Sequence, residues 1–349
     1  MHKTIANYKE NLLSEFELKK YILKEYNLED ASISQIKFKD TDKQRAVYKI
    51  EHDNKYYCLK KVYYEKDELR FVYSSIEWLY RFNLNVPRIL PTDSGNRYVL
   101  FNDMLFILTP WIQGEKCNYD NYTHVINSAK TLAAMHIAGK NFYPIAGSKL
   151  RQGYDDIYVE MNRHFNQLLN YSNLAFKYGD QFSRLYIENF DNCIKLAKLS
   201  IESASNIDFN CLNKSLCHLD YVNKNIIFDN DNNLWIIDFD KCKIDYCVHD
   251  ISYFLRRIMK RESTDWNLEL LMDCLKTYDK FVPLNTHEYW YILSYLSFPQ
   301  KQWRLLRDYY NNINICNKVA FLTLLEKSMY TMENHIKTSL AFRDIILSM

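Results

Sequence analysis

The sequence predicts an α+β fold of two lobes, a small one built on a five-stranded antiparallel sheet and a larger, mostly helical one. Two observations predict it. Five strand-length runs precede residue 110, and long stretches of helical spacing follow it. A chain of 349 residues with 48% hydrophobic residues can also fill two cores. We therefore expect an N-terminal lobe over residues 1–108, a hinge over 109–114 and a helical lobe over 115–349.

The N-terminal lobe is predicted to contain two helices and five strands. Residues 4–26 have the spacing of an amphipathic helix, and residues 67–82 form a second helix that ends before Pro87. The expected strands are Ile33–Phe38, Arg45–His52, Tyr56–Val62, Arg97–Phe101 and Met104–Thr109. The turn-forming segments Asp53-Asn54-Lys55 and Asn102-Asp103 each join two of these strands.

The second lobe is predicted to be helical apart from one strand-rich stretch. Helical spacing covers residues 122–138 and 155–206, and it resumes from residue 248 to the end. Between residues 214 and 239, three short strands are expected around His218–Asp220, Ile226–Phe228 and Leu234–Ile237.

Composition excludes several functional classes. The net charge of +2 gives no overall field for nucleic acid or for an anionic membrane, and no apolar run is long enough for a membrane span. The first ten residues lack the apolar segment of a signal peptide, so we expect the protein to be synthesised in the cytosol. Nine scattered cysteines without a C-x-x-C pair predict neither a zinc site nor a disulfide framework.

The segment richest in chemistry is Leu216–Phe228, followed by Leu234–Asp240. It holds His218, Asp220, Asn225 and Asp238 between short apolar strands. These residues could be ordinary turn residues and a strand-end cap. The strand flanks and the spacing favour a functional set instead.

This segment resembles the H-x-D-x-x-x-x-N and I-D-F core of aminoglycoside phosphotransferases, choline kinases and, more distantly, protein kinases. The resemblance implies a protein-kinase-like fold that uses ATP and Mg²⁺. It implies that Asp220 is the catalytic base in a loop over residues 216–228. Asn225 and Asp238 would be the metal ligands, the latter in a segment over 234–240. His218 and Asp250 would support the loop.

The nucleotide side of the resemblance lies in the N-terminal lobe. Strand alternation puts Cys58 and Lys60 on one face of their strand and Lys61 on the other. The run Tyr57–Lys60 resembles the strand that carries the phosphate-binding lysine, and Phe106–Gly114 resembles the hinge beside adenine. The implied nucleotide contacts are Lys60, Cys58, Thr109 and Trp111, although the aromatic and apolar residues of the hinge could equally belong to the core.

Two features depart from the family pattern. The loop Lys39–Gln44 contains no glycine, so a phosphate cradle there would be looser or made by side chains. The helix position that should offer a glutamate to Lys60 falls on Val72. We therefore expect the partner of Lys60 to be Glu68, Glu77 or Asp238.

Over residues 33–311 the chain is most similar to one branch, the spore coat CotS-like proteins. The runs that carry this likeness are Cys58–Lys61, Asn85–Leu90, Trp111–Gly114, Asp238–Asp240 and Tyr295–Trp303. The last resembles a Y-L-x-F-P-x-K-F-W pattern with Gln302 in place of Phe. The branch implies association with the spore coat and with other spore coat proteins.

Three functions follow from these resemblances. The chain could be an ATP- and Mg²⁺-dependent kinase that acts on a hydroxyl of a small metabolite or sugar-like acceptor. It could be a weakly active or inactive coat protein that keeps the fold as a binding module. An aminoglycoside kinase is less favoured, because residues 150–206 carry mixed charge where a polycation would require acidic side chains.

Overall fold

The computed structural model describes residues 14–39 and 45–349. Their chain forms two compact units. The first contains the described residues up to Cys117 together with Asn141–Arg151 and Lys224–Cys242. The second contains Asn118–Lys140, Gln152–Asn223 and Lys243–Met349. The lobe and hinge boundaries at 108 and 114 stay predictions, since the chain re-enters the first unit twice.

Ten strands form three sheets in the described chain. They are β1 (Ser32–Lys39), β2 (Arg45–His52), β3 (Lys55–Lys61), β4 (Val99–Phe101), β5 (Met104–Pro110), β6 (Glu115–Lys116), β7 (Lys214–Cys217), β8 (Ile226–Phe228), β9 (Leu234–Ile236) and β10 (Lys243–Tyr246). The largest sheet has the order β1-β2-β3-β5-β4 and is antiparallel throughout. The predicted five-stranded antiparallel sheet is therefore confirmed.

The two hairpin turns of this sheet have the backbone that their residues favour. Asp53 and Asn54 have φ values of 49° and 59°, and Asn102 and Asp103 have 46° and 60°. Two successive left-handed residues form the turn whose twist matches that of paired strands, and Asn and Asp accept this conformation more readily than most residues. These turns fix the register of β2 with β3 and of β4 with β5.

One face of the sheet carries the core of the first unit. A short helix, α1 (Glu15–Tyr21), buries Leu18 against it, and the predicted helix over residues 4–26 continues only as a 3₁₀ turn over Leu23–Tyr26. Residues 4–13 of that prediction lie outside the described residues. Leu59 of β3 is fully buried in this core. Because side chains alternate along a strand, Cys58 and Lys60 lie on the opposite face.

The first unit also contains a helix and a small sheet. Helix α2 (Lys66–Arg81) links β3 to the segment before β4. The small sheet has the order β6-β8-β9. Gly114, just before β6, approaches β8 so closely that a Cβ there would lie 2.1 Å from the carbonyl oxygen of Phe228. A side chain at this position would therefore separate the two strands.

The second unit is mostly helical, as predicted. Its helices are α3 (Tyr122–Gly139), α4 (Ile157–Tyr178), α5 (Gln181–Glu188), α6 (Phe190–Ala204), α7 (Cys247–Met259), α8 (Leu268–Asp279), α9 (Thr286–Ser297), α10 (Gln300–Asn311), α11 (Lys318–Tyr330) and α12 (Met332–Leu347). Among the described residues, no helix combines the length and apolarity required to cross a bilayer.

In the second unit, the structure divides one predicted helical stretch and corrects one predicted strand. The helical stretch predicted over residues 155–206 consists of three helices, because Gly179 ends α4 with a φ of 60° and Asn189 separates α5 from α6. The strand expected around His218–Asp220 instead ends at Cys217 as β7, which pairs with β10. Leu219 has a φ of 58°, a left-handed conformation that a strand cannot contain.

Candidate active site

Lys60 lies between two carboxylates of the first unit. Its Nζ is 2.5 Å from Oδ1 of Asp238 and 2.7 Å from Oδ1 of Asp240. The lysine side chain is 15% exposed, whereas Asp238 is 30% and Asp240 5% exposed. The cluster is thus mostly shielded from water, with Asp238 as its most accessible member.

The local backbone brings these three residues together. Lys60 projects from β3 on the face opposite the hydrophobic core. Asp238 follows β9 with a left-handed φ of 68°, which is uncommon for a residue with a side chain. A 3₁₀ turn over Phe239–Lys241 comes next, so both carboxylates can approach the same ammonium group. A strained conformation of this kind is often found at functional sites.

The charge of Lys60 is stabilised by this pairing. Burial alone would lower its pKa, but the carboxylates of Asp240 and Asp238 outweigh that effect and raise the pKa above its ordinary value. Lys60 is therefore protonated at neutral pH. Tyr64 adds a hydrogen bond from its hydroxyl to Oδ1 of Asp240, at 3.3 Å, and Arg151 donates to the Asp240 carbonyl at 2.6 Å.

Helix α2 does not supply the partner of Lys60. Val72 is buried, with 2% exposure. Glu77 forms a bidentate pair with Arg88, and Glu68 contacts the backbone N–H of Glu65 at the start of the helix. Of the three partners expected from sequence, Lys60 contacts Asp238, and Asp240 is an additional partner that the sequence did not indicate.

Asn225 and Asp238 lie at the same end of the β8–β9 hairpin. The N–H of Ile237, next to Asp238, donates to the carbonyl oxygen of Asn225 at 2.9 Å. Asn225 is only 4% exposed. Amide and carboxylate oxygens are the donors that Mg²⁺ prefers, so the chemistry of this set fits that ion.

The remaining predicted nucleotide contacts lie in the same sheet or directly after it. Cys58 pairs with Thr109 across β3 and β5. Burial raises the pKa of the Cys58 thiol to about 11, so it is not a nucleophile at neutral pH. The N–H of Trp111 donates to the carbonyl of Tyr56, and the ammonium group of Lys49 lies 5.6 Å from the Trp111 ring. Residues 40–44 of the loop without glycine lie outside the described residues.

In the second unit, Asp250 holds the backbone at the start of the predicted catalytic loop. It is fully buried in the first turn of α7. Its Oδ2 accepts the N–H of His218 at 2.6 Å, and its Oδ1 accepts that of Leu219 at 2.8 Å. Burial alone would raise the pKa of Asp250, but hydrogen bonding with His136 and these backbone donors lowers it. Asp250 therefore acts as a buried anion that fixes the loop.

Asp220 has a short chain of polar neighbours in the same unit. Its N–H donates to Nδ1 of His218 at 3.2 Å. Its Oδ1 lies 3.4 Å from the hydroxyl of Tyr253, which donates to it. The Tyr253 oxygen in turn accepts a 2.6 Å hydrogen bond from Arg257. Each of these contacts orients a carboxylate that could accept a proton.

Sequence reasoning missed several residues of these two clusters. Asp240, Tyr253 and Arg257 directly contact predicted site residues or their partners. Tyr253 and Arg257 lie four positions apart, which puts them on one face of α7. That spacing was the available signal. No comparable pattern in the sequence marks Asp240 as a partner of Lys60.

Comparisons with protein families and solved structures agree with the resemblance to aminoglycoside phosphotransferases. A sequence model described as the phosphotransferase enzyme family, APH, matches residues 30–281. The fold is similar to that of an aminoglycoside phosphotransferase from Alicyclobacillus acidocaldarius, with a TM-score of 0.80 and 19% identity over 95% of this chain and 96% of that one.

Two further solved structures share the fold. A microcompartment-associated aminopropanol kinase has a TM-score of 0.61 and 15% identity, covering 90% of this chain and 94% of that one. An amicoumacin kinase in complex with AMP-PNP and Ca²⁺ has a TM-score of 0.61 and 14% identity, covering 95% and 96%. At such low identities the likeness is one of fold.

Proposed function

Because the chain belongs to the phosphotransferase enzyme family, we propose that it transfers the γ-phosphate of ATP to a hydroxyl group of a small molecule. The observation that carries the proposal is the buried pairing of Lys60 with Asp238 and Asp240 on the face of the sheet opposite its core. A largely buried cluster of one cation and two carboxylates has no role in the hydrophobic packing of the sheet, whereas phosphate and metal binding require these residue types.

In the proposed reaction, the acceptor oxygen forms a bond to the γ-phosphorus as the bond from that phosphorus to the β–γ bridging oxygen breaks. ADP leaves, and the hydroxyl proton passes to the carboxylate of Asp220. Tyr253 and the His218 side chain hold Asp220 in position. Asp250 fixes the backbone that precedes it.

Lys60 would bind phosphate oxygens of the nucleotide, and its raised pKa keeps it charged for that task. Asn225 and Asp238 would hold Mg²⁺, which supplies positive charge to the phosphates. Cys58, Thr109 and Trp111 would line the adenine side of the nucleotide site. Residues 109–114 would serve as the hinge, between lobes bounded at residues 108 and 115.

Titration of the full chain with ATP, with and without Mg²⁺, tests this proposal. We expect Mg²⁺ to strengthen binding, and Asp238→Asn to remove most of that effect. Lys60→Met should weaken binding about 10- to 100-fold, the usual loss for a hydrogen bond to a charged group. Lys55→Met, an exposed lysine on the same strand, is the matched control. ATP binding that is unaffected by Lys60→Met would refute the proposed nucleotide site.

The CotS-like assignment is a further part of the proposal. The runs Asp238–Asp240 and Tyr295–Trp303 support it, and it implies synthesis in the cytosol followed by association with the spore coat and other coat proteins. Fractionation of spores from an endospore-forming host that expresses the tagged chain would test this. Recovery only outside the coat fraction would contradict it.

A kinase-fold binding module is the second candidate. The pairing of Lys60 with two carboxylates supports this candidate, because an incoming phosphate must compete with both of them for the lysine. The two candidates differ in turnover. A binding module would consume no ATP with any acceptor.

A further inference from the structure

A cavity of about 280 Å³ in the second unit has five cations among its sixteen lining residues. The charged side chains on its walls are Arg256, Arg257, Lys260, Lys301, Arg304 and Asp308. The one carboxylate among these is already bound to Arg307, at 2.8 Å. The cavity therefore carries a strong excess of positive charge.

Acidic side chains of the described chain act on the five cations only from beyond contact distance, as Asp220 does on Arg257. None of them forms an ion pair with a described carboxylate. Arg256 instead donates to the hydroxyl of Tyr295 at 2.7 Å and stacks 3.8 Å from its ring. Arg257 donates to the hydroxyl of Tyr253. Aromatic rings and phenol oxygens orient these guanidinium groups without neutralising them.

The crowding of cations is unfavourable in the absence of a ligand. Burial, followed by the charges of Arg257, Arg256, Arg304 and Lys301, lowers the pKa of Lys260 to about 8. His335, on the same wall, is buried and has a pKa of about 3, so it adds no charge at neutral pH. An anion in the cavity would offset this repulsion.

One side chain, that of Tyr253, connects the cavity to the predicted base, Asp220. Tyr253 lines it, and the hydroxyl of Tyr253 lies 3.4 Å from Oδ1 of Asp220. The same oxygen accepts the hydrogen bond from Arg257. A molecule bound by the arginines is thus close to the carboxylate that would take its proton.

We propose that the acceptor is a small anion, a hydroxyl compound with a phosphate or carboxylate group that binds to Arg256, Arg257 and Lys260. This inference rests on the proposed phosphotransfer. The volume lies at the lower end of the roughly 300–1,000 Å³ of small-molecule sites, which suits a compact metabolite. The charge repels a polycation, so aminoglycosides are disfavoured.

Binding can be measured without turnover. Calorimetric titration of the full chain would compare glycerol 3-phosphate and glycerate with uncharged glycerol and cationic ethanolamine. We expect only the two anions to bind. Lys260→Gln and Arg304→Gln, both at positions that reach solvent, should each weaken binding about tenfold or more. Lys198→Gln, on the exposed face of α6, should leave it unchanged.

Proton uptake gives a second, independent measurement. Because an anion favours the charged form of Lys260, binding near pH 8 should take up a fraction of a proton, at most about half, in the parent chain and none in Lys260→Gln. Titrations in two buffers of different ionisation enthalpy measure this directly.

The outcomes separate this inference from the proposed function. Anion binding that Lys260→Gln weakens, with no phosphate transfer from ATP to any compound, would refute phosphotransfer and leave the anion site intact. Transfer to a neutral or cationic acceptor, unchanged in Lys260→Gln, would overturn the anionic acceptor and leave phosphotransfer intact. Failure of either anion to bind more tightly than glycerol would also overturn the anion site.

Discussion

The two charge clusters of this protein differ in whether opposite charges are in contact. In the first unit, Lys60 is enclosed by two carboxylates at 2.5 and 2.7 Å. In the second, five cations surround a cavity whose one acidic side chain, Asp308, is bound to Arg307. The first cluster is satisfied by the protein itself. In the second, no described carboxylate forms an ion pair with any of the five cations.

This difference shows how to read buried charge for function. A cluster in which opposite charges are in contact contributes to the folded state, so removing the shared partner should destabilise it. A cluster of like charges without opposite partners lowers the stability of the ligand-free fold, because the charges repel one another. Removing one member should therefore stabilise the ligand-free chain. Variants in the two units should therefore change the free energy of unfolding in opposite directions.

The largest loss of stability is expected for Asp250→Ala, which removes a buried and fully bonded carboxylate of the second unit. It leaves the buried N–H groups of His218 and Leu219 without their acceptor, and it removes the anion beside His136. We expect the free energy of unfolding to fall by about 3–5 kcal/mol in a urea titration.

Two further variants control this prediction. Asp250→Asn retains one acceptor oxygen and should lose less, which keeps the test usable if the alanine variant does not fold. Asp344→Ala, at an exposed carboxylate beside Arg343, should stay within about 0.5 kcal/mol of the parent. An effect of Asp250→Ala as small as that control would refute its bracing role.

A smaller loss in the free energy of unfolding is expected for Lys60→Met. The substitution leaves the 5% exposed Asp240 next to Asp238 without their shared cation. Because Asp238 is partly exposed, we expect a loss of about 2–3 kcal/mol, below that of a fully buried pair. Lys55→Met, on the same strand, should change stability little. Equal stability of the two lysine variants would show that the contacts of Lys60 with the two carboxylates do not stabilise the fold.

The smallest effect, with the opposite sign, is expected for Lys260→Gln. The folded-state pKa of about 8 lies below the ordinary 10.5, so the unfolded chain keeps its proton to higher pH. Protonated Lys260 therefore costs stability at neutral pH, and the parent should gain stability as the pH rises from 8 to 10.5. The variant should lack that gain and be more stable at pH 7 by at most about 1 kcal/mol, because the side chain is only partly buried and solvent screens its charge.

Urea titrations of the parent, Lys260→Gln and the control Lys198→Gln between pH 7 and 10.5 would measure this. The control should show the same pH dependence as the parent. A destabilised Lys260→Gln without ligand would contradict the unbalanced charge of the cavity.

The sequence predicted the parts of the fold that depend on local chemistry. The turn at Asp53 and Asn54, and the hairpin of β8 with β9, follow from residues that accept a left-handed backbone or alternate along a strand. Strand β10 was missed, because four residues ending next to a helix carry too short a pattern. The end of β7 at Cys217 depends on the contact of Asp250 with the following N–H groups, which are distant in sequence.

The clusters themselves were predictable only in part. Motif spacing indicated Lys60 and Asp238, but Asp240 contacts the lysine only because Asp238 adopts a left-handed backbone. The cationic cavity combines side chains from α7 and α10, and no pattern within either helix shows that they face one space. Tertiary packing, and not local propensity, determines both.

Phosphate transfer by the parent and by Asp220→Asn tests the central claim most directly. ATP consumption would be measured with sugars, amino alcohols, aminoglycosides and small anions, alongside the affinity for ATP. We predict that the substitution reduces the rate about 10²–10⁴-fold and changes ATP affinity less than about twofold, because the base acts on the acceptor. Parent and variant rates that are indistinguishable across the whole panel would contradict catalysis and favour the binding module.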